Sequence, residues 1–339
     1  MAPTDAAEAT PPAAGGVVTF GEAMIRLTPP GLQRLEQANA FDLWIAGAEL
    51  NVAVALARLG ERATWVSRLP DNPLGRRVLA HARANGVATD AIQWTPEGRL
   101  GLMFVEVGQR PRPSASLYDR ADSAFASLEP EAFDWPALLA GARAFHTSGI
   151  TPALSPSCRR STADALSAAA AAGCHTSFDL NYRARLTTPA QARATAESLV
   201  PHIDTVIASA GEAEAIFGLA GNPADVAAKV REELGVERVV ISSRVDTGQD
   251  TQARRSACAN GDVLQVDSPE FRTVDPLGGG DAFSAGFLSG LLADGPRRGL
   301  ELGGAIAALK QSIPGDFAIV DADEVECLVN GGGERGTRR

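Results

Sequence analysis

Asp275-Pro276-Leu277-Gly278-Gly279-Gly280-Asp281-Ala282-Phe283-Ser284-Ala285-Gly286-Phe287 is the stretch from which the rest of the chain is best read. Three consecutive glycines leave their backbone N–H groups unobstructed, and the apolar run behind them predicts a helix that starts at once. Free amides and the positive end of a helix dipole together make an anion site. Asp281 stands at its mouth, where it can accept a proton from an attacking hydroxyl. Phosphoryl transfer asks for little more than positioning, charge stabilisation and a weakly demanding base. The plainer reading makes residues 278–280 a turn and Asp281 a helix N-cap.

Working outward, short apolar runs recur at 17–20, 64–66, 102–107, 144–146, 176–178, 205–208 and 239–242. Ala-rich helical stretches such as 161–172 and 189–200 lie between most of them. A further helix is expected over 52–59, led in by Gly47-Ala48-Glu49-Leu50-Asn51 and stopped at Gly60. Strands alternating with helices predict an α/β fold: a three-layer sandwich with a mostly parallel central sheet covered on both faces. Segments 23–45 and 99–120 break the rhythm and read as extended hairpin material, a small β-sheet lid over the carboxyl edge where α/β ligands bind. One domain over 17–330 is expected, after a disordered leader at 1–16 rich in Ala, Pro and Thr and before a flexible tail at 331–339.

The chain has 339 residues, 45% of them hydrophobic, and a net charge of -10. That acidity speaks against a nucleic-acid partner, which needs a Lys/Arg excess or a basic patch. It leaves room for an anionic small molecule recognised by a few arginines in a cleft. No apolar run approaches the ~18 residues of a membrane span. The four cysteines, Cys158, Cys174, Cys258 and Cys327, form no C-x-x-C pair, so reduced thiols in a cytoplasmic protein are expected. A dinucleotide-binding site is excluded early: the first strand runs into Gly21-Glu22-Ala23-Met24-Ile25-Arg26, with no G-x-G-x-x-G.

The 275–287 stretch resembles the D-x-x-G-A-G-D-x-F signature of the ribokinase-like (PfkB) carbohydrate kinases. Far upstream, Ala46-Gly47-Ala48-Glu49-Leu50-Asn51-Val52-Ala53 is similar to that family's G-G-A-x-x-N-V-A. Two signatures in the right order make the likeness specific, and it spans nearly the whole chain. Four segments are most similar to kinases of 2-keto-3-deoxygluconate: residues 21–27, residues 146–154, Asp179-Leu180-Asn181-Tyr182-Arg183, and residues 310–317.

The resemblance implies that Asp281 is the general base and that Gly278, Gly279 and Gly280 form the anion hole. It implies a substrate pocket lined by Gly47, Asn51, Tyr118, Arg120, Ile150, Arg183 and Asp316. Ser209-Ala210-Gly211-Glu212 is similar to the family's N-x-x-E, so Ser209 and Glu212 are implied on the nucleotide side, with Glu212 toward Mg²⁺. Arg120 and Arg183 favour an acid substrate, because a guanidinium binds carboxylate through a charged fork that a neutral hexose does not need. Tyr118 and Arg120, two residues apart on a strand, would share a face.

Three positions depart from the family pattern. Met103 stands where a lid tyrosine is usual; Ile241-Ser242-Ser243-Arg244-Val245-Asp246-Thr247-Gly248 replaces K-x-G-x-x-G and continues as a long polar hairpin; Gly304 replaces a nucleotide-side Asn. The expected function is transfer of phosphate from ATP, with Mg²⁺, to the primary hydroxyl of a small-molecule sugar acid, 2-keto-3-deoxygluconate first. Fructose or another neutral ketose and 2-keto-3-deoxygalactonate are the alternative acceptors; a non-catalytic sugar-acid binding protein is the alternative outside enzymes. An exposed lid sheet would favour a homo-oligomer, a dimer or larger.

Overall fold

The computed structural model describes residues 15–109 and 111–332. Of the expected leader and tail, residues 1–14 and 333–339 lie outside the described residues. The strands are β1 (Val17–Phe20), β2 (Met24–Thr28), β3 (Asp42–Ala46), β4 (Ala63–Pro70), β5 (Ile92–Thr95), β6 (Gly101–Glu106), β7 (Ala115–Asp119), β8 (Ala144–Ser148), β9 (His175–Asp179), β10 (Thr205–Ser209), β11 (Arg238–Asp246), β12 (Gln252–Asn260) and β13 (Asp262–Asp267).

Short strands buried at every position need cover on both faces, and β1 and β8 are of this kind. They lie mid-sheet in a nine-stranded order β13-β12-β11-β10-β9-β8-β1-β4-β5. The chain runs outward from β1 to β4 and β5, then restarts at β8 beside β1 and runs the other way to β11, all in parallel. Reversal of strand order beside β1 opens a crevice at the carboxyl ends of the strands, where ligands of such sheets bind. One apolar layer gathers Trp65 with helices Ala48–Arg58, Gly279–Asp294 and Pro296–Gln311; the other gathers Phe20, Phe145 and Phe178 with helices Pro156–Ala171 and Pro223–Leu234. The three-layer sandwich expected from the alternation is the fold observed.

The lid is a second, four-stranded sheet, β3-β2-β6-β7. Its two outer pairs are antiparallel, and a parallel β2–β6 pair joins them. Met24, Ala46, Met103 and Val105 form its buried inner face, with Leu277 of the glycine loop against it. Met103 therefore serves as lid core. Two strands go beyond the sequence reading, β5 and β13, while the long polar hairpin expected after Ser242 is β11 paired antiparallel with β12.

Helices Gly279–Asp294 and Pro296–Gln311 pack backbone to backbone. A Cβ on Gly286 would lie 2.8 Å from the Gly303 Cα, and one on Gly303 would lie 2.8 Å from the Phe283 carbonyl oxygen. That glycine seam holds the helix bearing Asp281 at a fixed height.

Candidate active site

The residue that starts the Asp281 helix is Gly278, in the left-handed region at φ +75 with no side chain capping the helix. A Cβ there would fall 2.0 Å from the Asp316 carbonyl oxygen, so only glycine fits. The first helical N–H groups have no intrahelical acceptor and point out of the helix start. Gly280 faces open space, while Gly279 turns inward to Gln311. Asp281 is thus in the first turn and is not the N-cap, which removes the plainer reading of the motif.

Asp281 is buried, and its carboxylate is held by two amides. Asn51 Nδ2 donates to Oδ2 at 2.6 Å and Asn181 Nδ2 to Oδ1 at 3.4 Å. Burial pushes its pKa above the usual aspartate range, opposed chiefly by the Asn51 hydrogen bond and the Arg183 charge. Asn51 Oδ1 is buried with no partner, an acceptor beside the Asp281 carboxylate. Asn181 reaches in from a left-handed backbone at φ 37, with its N–H bonded to Asp179 Oδ1.

Two cavities lie near Asp281, and Arg183 borders both. One, of about 590 Å³, is lined by Asp179, Asn181, Arg183, Glu212, Gly278, Gly280 and Asp281 among others. The second, of about 470 Å³ beneath the lid, is lined by Tyr118, Arg120, Asp122, Leu154, Arg183 and Arg185 among others. Arg183 is common to both, with Nη2 donating to Asn181 Oδ1 at 2.5 Å. Asp179 and Asn181 were not assigned to the site from the sequence, although both stand in the quoted 179–183 segment. Their partners are about 100 residues away, Ser284 Oγ on Asp179 at 3.0 Å and Asp281 on Asn181.

The other expected residues divide. Tyr118 and Arg120 share a face, with the guanidinium 5.9 Å from the ring centroid. The fork of Arg120, expected to hold substrate carboxylate, is directed at Glu22: Nε at 2.9 Å and Nη2 both donate to Oε2. Asp316 is also paired within the protein. It lies beneath the glycine loop, paired at 2.8 Å with Arg26, which also pairs with Asp275 at 2.8 Å. Burial still pushes Asp316 up to about 6. Gly47 caps the helix Ala48–Arg58, and Ile150 opens the short helix Ile150–Leu154 whose end lines the lid-side cavity. Glu212 closes a capping box with Ser209 and also accepts from the Tyr182 N–H at 2.8 Å.

A match to the pfkB family carbohydrate kinase model runs over residues 15–316. The chain belongs to that family. The kinase is 43% identical over 319 residues to the 2-dehydro-3-deoxygalactonokinase of Haloferax volcanii, covering 93% of this chain and 97% of that one. It is 30% identical to the 2-dehydro-3-deoxygluconokinase of Bacillus subtilis, over 88% of this chain and 90% of that one. The crystal structure of the 2-dehydro-3-deoxygluconokinase of Thermotoga maritima superimposes with a TM-score of 0.87 at 37% identity, covering 94% of this chain and all of that one.

The kinase's cleft fits a hydrated Mg²⁺ brought with phosphate. Mg²⁺ takes oxygen ligands, keeps several waters and is held through one or two carboxylates plus phosphates. Asp179 and Glu212 face the cleft together, and their mutual repulsion joins burial in raising the Asp179 pKa well above its usual range. A dication would relieve that repulsion. Among the described residues no group of three His, Cys, Asp or Glu is placed to hold a metal ion. No helix of the described residues is long and apolar enough to cross a membrane.

Proposed function

We propose that this kinase transfers the γ-phosphoryl group of ATP to the primary hydroxyl of a 2-keto-3-deoxyhexonate. The observation that carries the reading is Arg183, which borders both the cleft containing Asp281 and the cavity under the lid. A sugar acid laid under the lid places its charged end within reach of arginine and its hydroxyl end toward Asp281. Asn51 Oδ1, the unpartnered acceptor beside the base, suits a sugar hydroxyl. With Arg120 turned to Glu22, Arg183 is the cation proposed to read the carboxylate.

In the reaction the acceptor oxygen bonds to the γ-phosphorus as that atom's bond to the β–γ bridging oxygen breaks. ADP leaves, and the hydroxyl proton passes to the Asp281 carboxylate. The N–H groups at the start of the Asp281 helix are aimed at charge that grows in the transition state. Mg²⁺ when bound would neutralise phosphate charge, held by Asp179 and Glu212. Tyr118 at the end of lid strand β7 and Arg120 just beyond it border the proposed acceptor space and would help exclude water that competes for the phosphoryl group.

Two features bear on the epimer. The sequence reading put the gluconate form first, while the relative named for the galactonate form is 43% identical to this chain and those named for the gluconate form are 30% and 37% identical. The galactonate epimer is therefore proposed as the preferred acceptor. A coupled ADP-release assay with Mg·ATP tests this on both epimers, fructose, ribose and no sugar. Turnover confined to the keto-deoxy acids, fastest with the galactonate, is expected. Turnover with fructose or ribose at a similar rate would overturn the acid specificity.

A further inference from the structure

Four arginines are buried among the described residues: Arg26, Arg120, Arg238 and Arg254. Three of them carry an ion pair, to Asp275, Glu22 and Glu237 in turn. Arg254 carries none among the described residues. It stands on β12 with 6% of its surface exposed, in the polar hairpin where the chain departs from its family's pattern. Its guanidinium lies over the Phe283 ring at 5.4 Å, and Nη1 donates to Ser242 Oγ at 2.9 Å. Nε is buried with no hydrogen-bond partner.

A buried cation without a counter-charge is expensive to fold around. Burial pulls the Arg254 pKa down to about 10, with neighbouring Arg244 pushing the same way and Asp179 opposing. A strut between Phe283 and Ser242 would need no charge, because an apolar or neutral polar side chain of similar size does that work at lower cost. What the charge faces is the 590 Å³ cleft, which Arg254 lines together with Ser243, Arg244, Gly278, Gly280 and Asp281. Phe283 lies three residues beyond Gly280, so the guanidinium lies beside the first turns of the helix whose N–H groups face the same space.

We propose that Arg254 is a phosphate-binding residue of this cleft, its guanidinium fork meeting the oxygens of the nucleotide's phosphate chain opposite the glycine nest. The proposal deepens the kinase reading and rests on it for the identity of the anion. A planar, permanently charged fork matches phosphate oxygens, and a bound polyanion supplies the directly paired counter-charge that the more distant Asp179 does not. Arg254 thereby takes a place on the nucleotide side that the usual K-x-G-x-x-G loop does not fill in this chain.

The test is isothermal titration of the full chain with inorganic tripolyphosphate and Mg²⁺, a probe with no base or sugar, beside titration with the keto-deoxy acid. Arg254→Met removes the charge and keeps the stem. Arg254→Gln keeps a donor for Ser242 and guards against a Met variant that does not fold. Both are expected to weaken tripolyphosphate by about 10- to 100-fold, the span of a charged hydrogen bond, with sugar-acid affinity unchanged. In turnover the KM for ATP should rise while the KM for the acceptor stays. Tripolyphosphate affinity within twofold of the parent in either folded variant would overturn the assignment, as would a parent chain that does not bind the probe. A chain that binds tripolyphosphate through Arg254 yet phosphorylates no sugar would overturn the kinase reading and leave Arg254 as assigned.

Discussion

Asp281 is tuned by two opposing influences, burial that favours the neutral acid and the Asn51 amide that favours the carboxylate. In the proposed role of base it must be ionised, so activity should fall as pH drops through its raised pKa. The acid limb of kcat/KM is expected above the ordinary aspartate range, which centres near ~3.9. Asn51→Ala removes the strongest opposing hydrogen bond and should move that limb to higher pH, as well as raising the acceptor KM. A limb that stays in place or moves down would contradict the assigned partnership. Arg183→Ala should raise the KM for a keto-deoxy acid by about 10- to 100-fold, the scale of a charged hydrogen bond, and change a neutral sugar's KM far less. At this scale the sequence was legible where the chemistry is contiguous. Gly280 and Asp281 could be read from seven letters; the Glu22–Arg120 and Arg26–Asp316 pairs join residues 98 and 290 positions apart, and nothing local announces them.

The glycine loop and its helix act as one element, and their glycines have separable jobs. Gly278→Ala puts a Cβ 2.0 Å from a carbonyl oxygen at a left-handed φ, and should lower the melting temperature by several degrees or prevent folding. Gly280→Ala meets nothing within 4 Å and gains helix propensity of up to about 1 kcal/mol, so its melting temperature should hold or rise. Its activity should still fall, by about 10²-fold on the scale of a lost oxyanion donor, because the new methyl faces the phosphate space. Equal activity with the parent would remove the nest from the mechanism. Elements with strong apolar runs, β1, β8 and β10 among them, were readable from the sequence. β5 was not, since Ile92-Gln93-Trp94-Thr95 is four residues of mixed character at a sheet edge. The extension of β11 is polar, and its strand form comes from pairing with β12.

Across the whole molecule, the crevice is held by buried charge as well as by apolar layers. Glu49 ties the helix Ala48–Arg58 to the ends of β8 and the short helix after it, its Oε1 accepting from Ser148 N, Ser148 Oγ and Thr151 Oγ1. Burial moves its pKa from 4.5 to about 7. The folded chain therefore holds that proton longer than the unfolded chain, and this contribution to stability declines as pH rises from about 4.5 to about 7. Glu49→Gln should accordingly stabilise the protein by a few degrees at pH 8 and little at pH 5, read by thermal unfolding. Equal effects at both pH values would contradict it. The fold class was legible because strand–helix alternation is a property of the entire sequence; the bordering of two cavities by Arg183 was not, because it arises only when lid and sheet come together. The central claim, that Asp281 activates a primary hydroxyl of a sugar acid toward ATP, is tested most directly by the product. Phosphorus NMR of a reaction with Mg·ATP and 2-keto-3-deoxygalactonate should show a new phosphomonoester coupled to the terminal CH₂ protons, absent with Asp281→Asn. A phosphoryl group on another oxygen, or the same product formed at full rate by Asp281→Asn, would contradict the account.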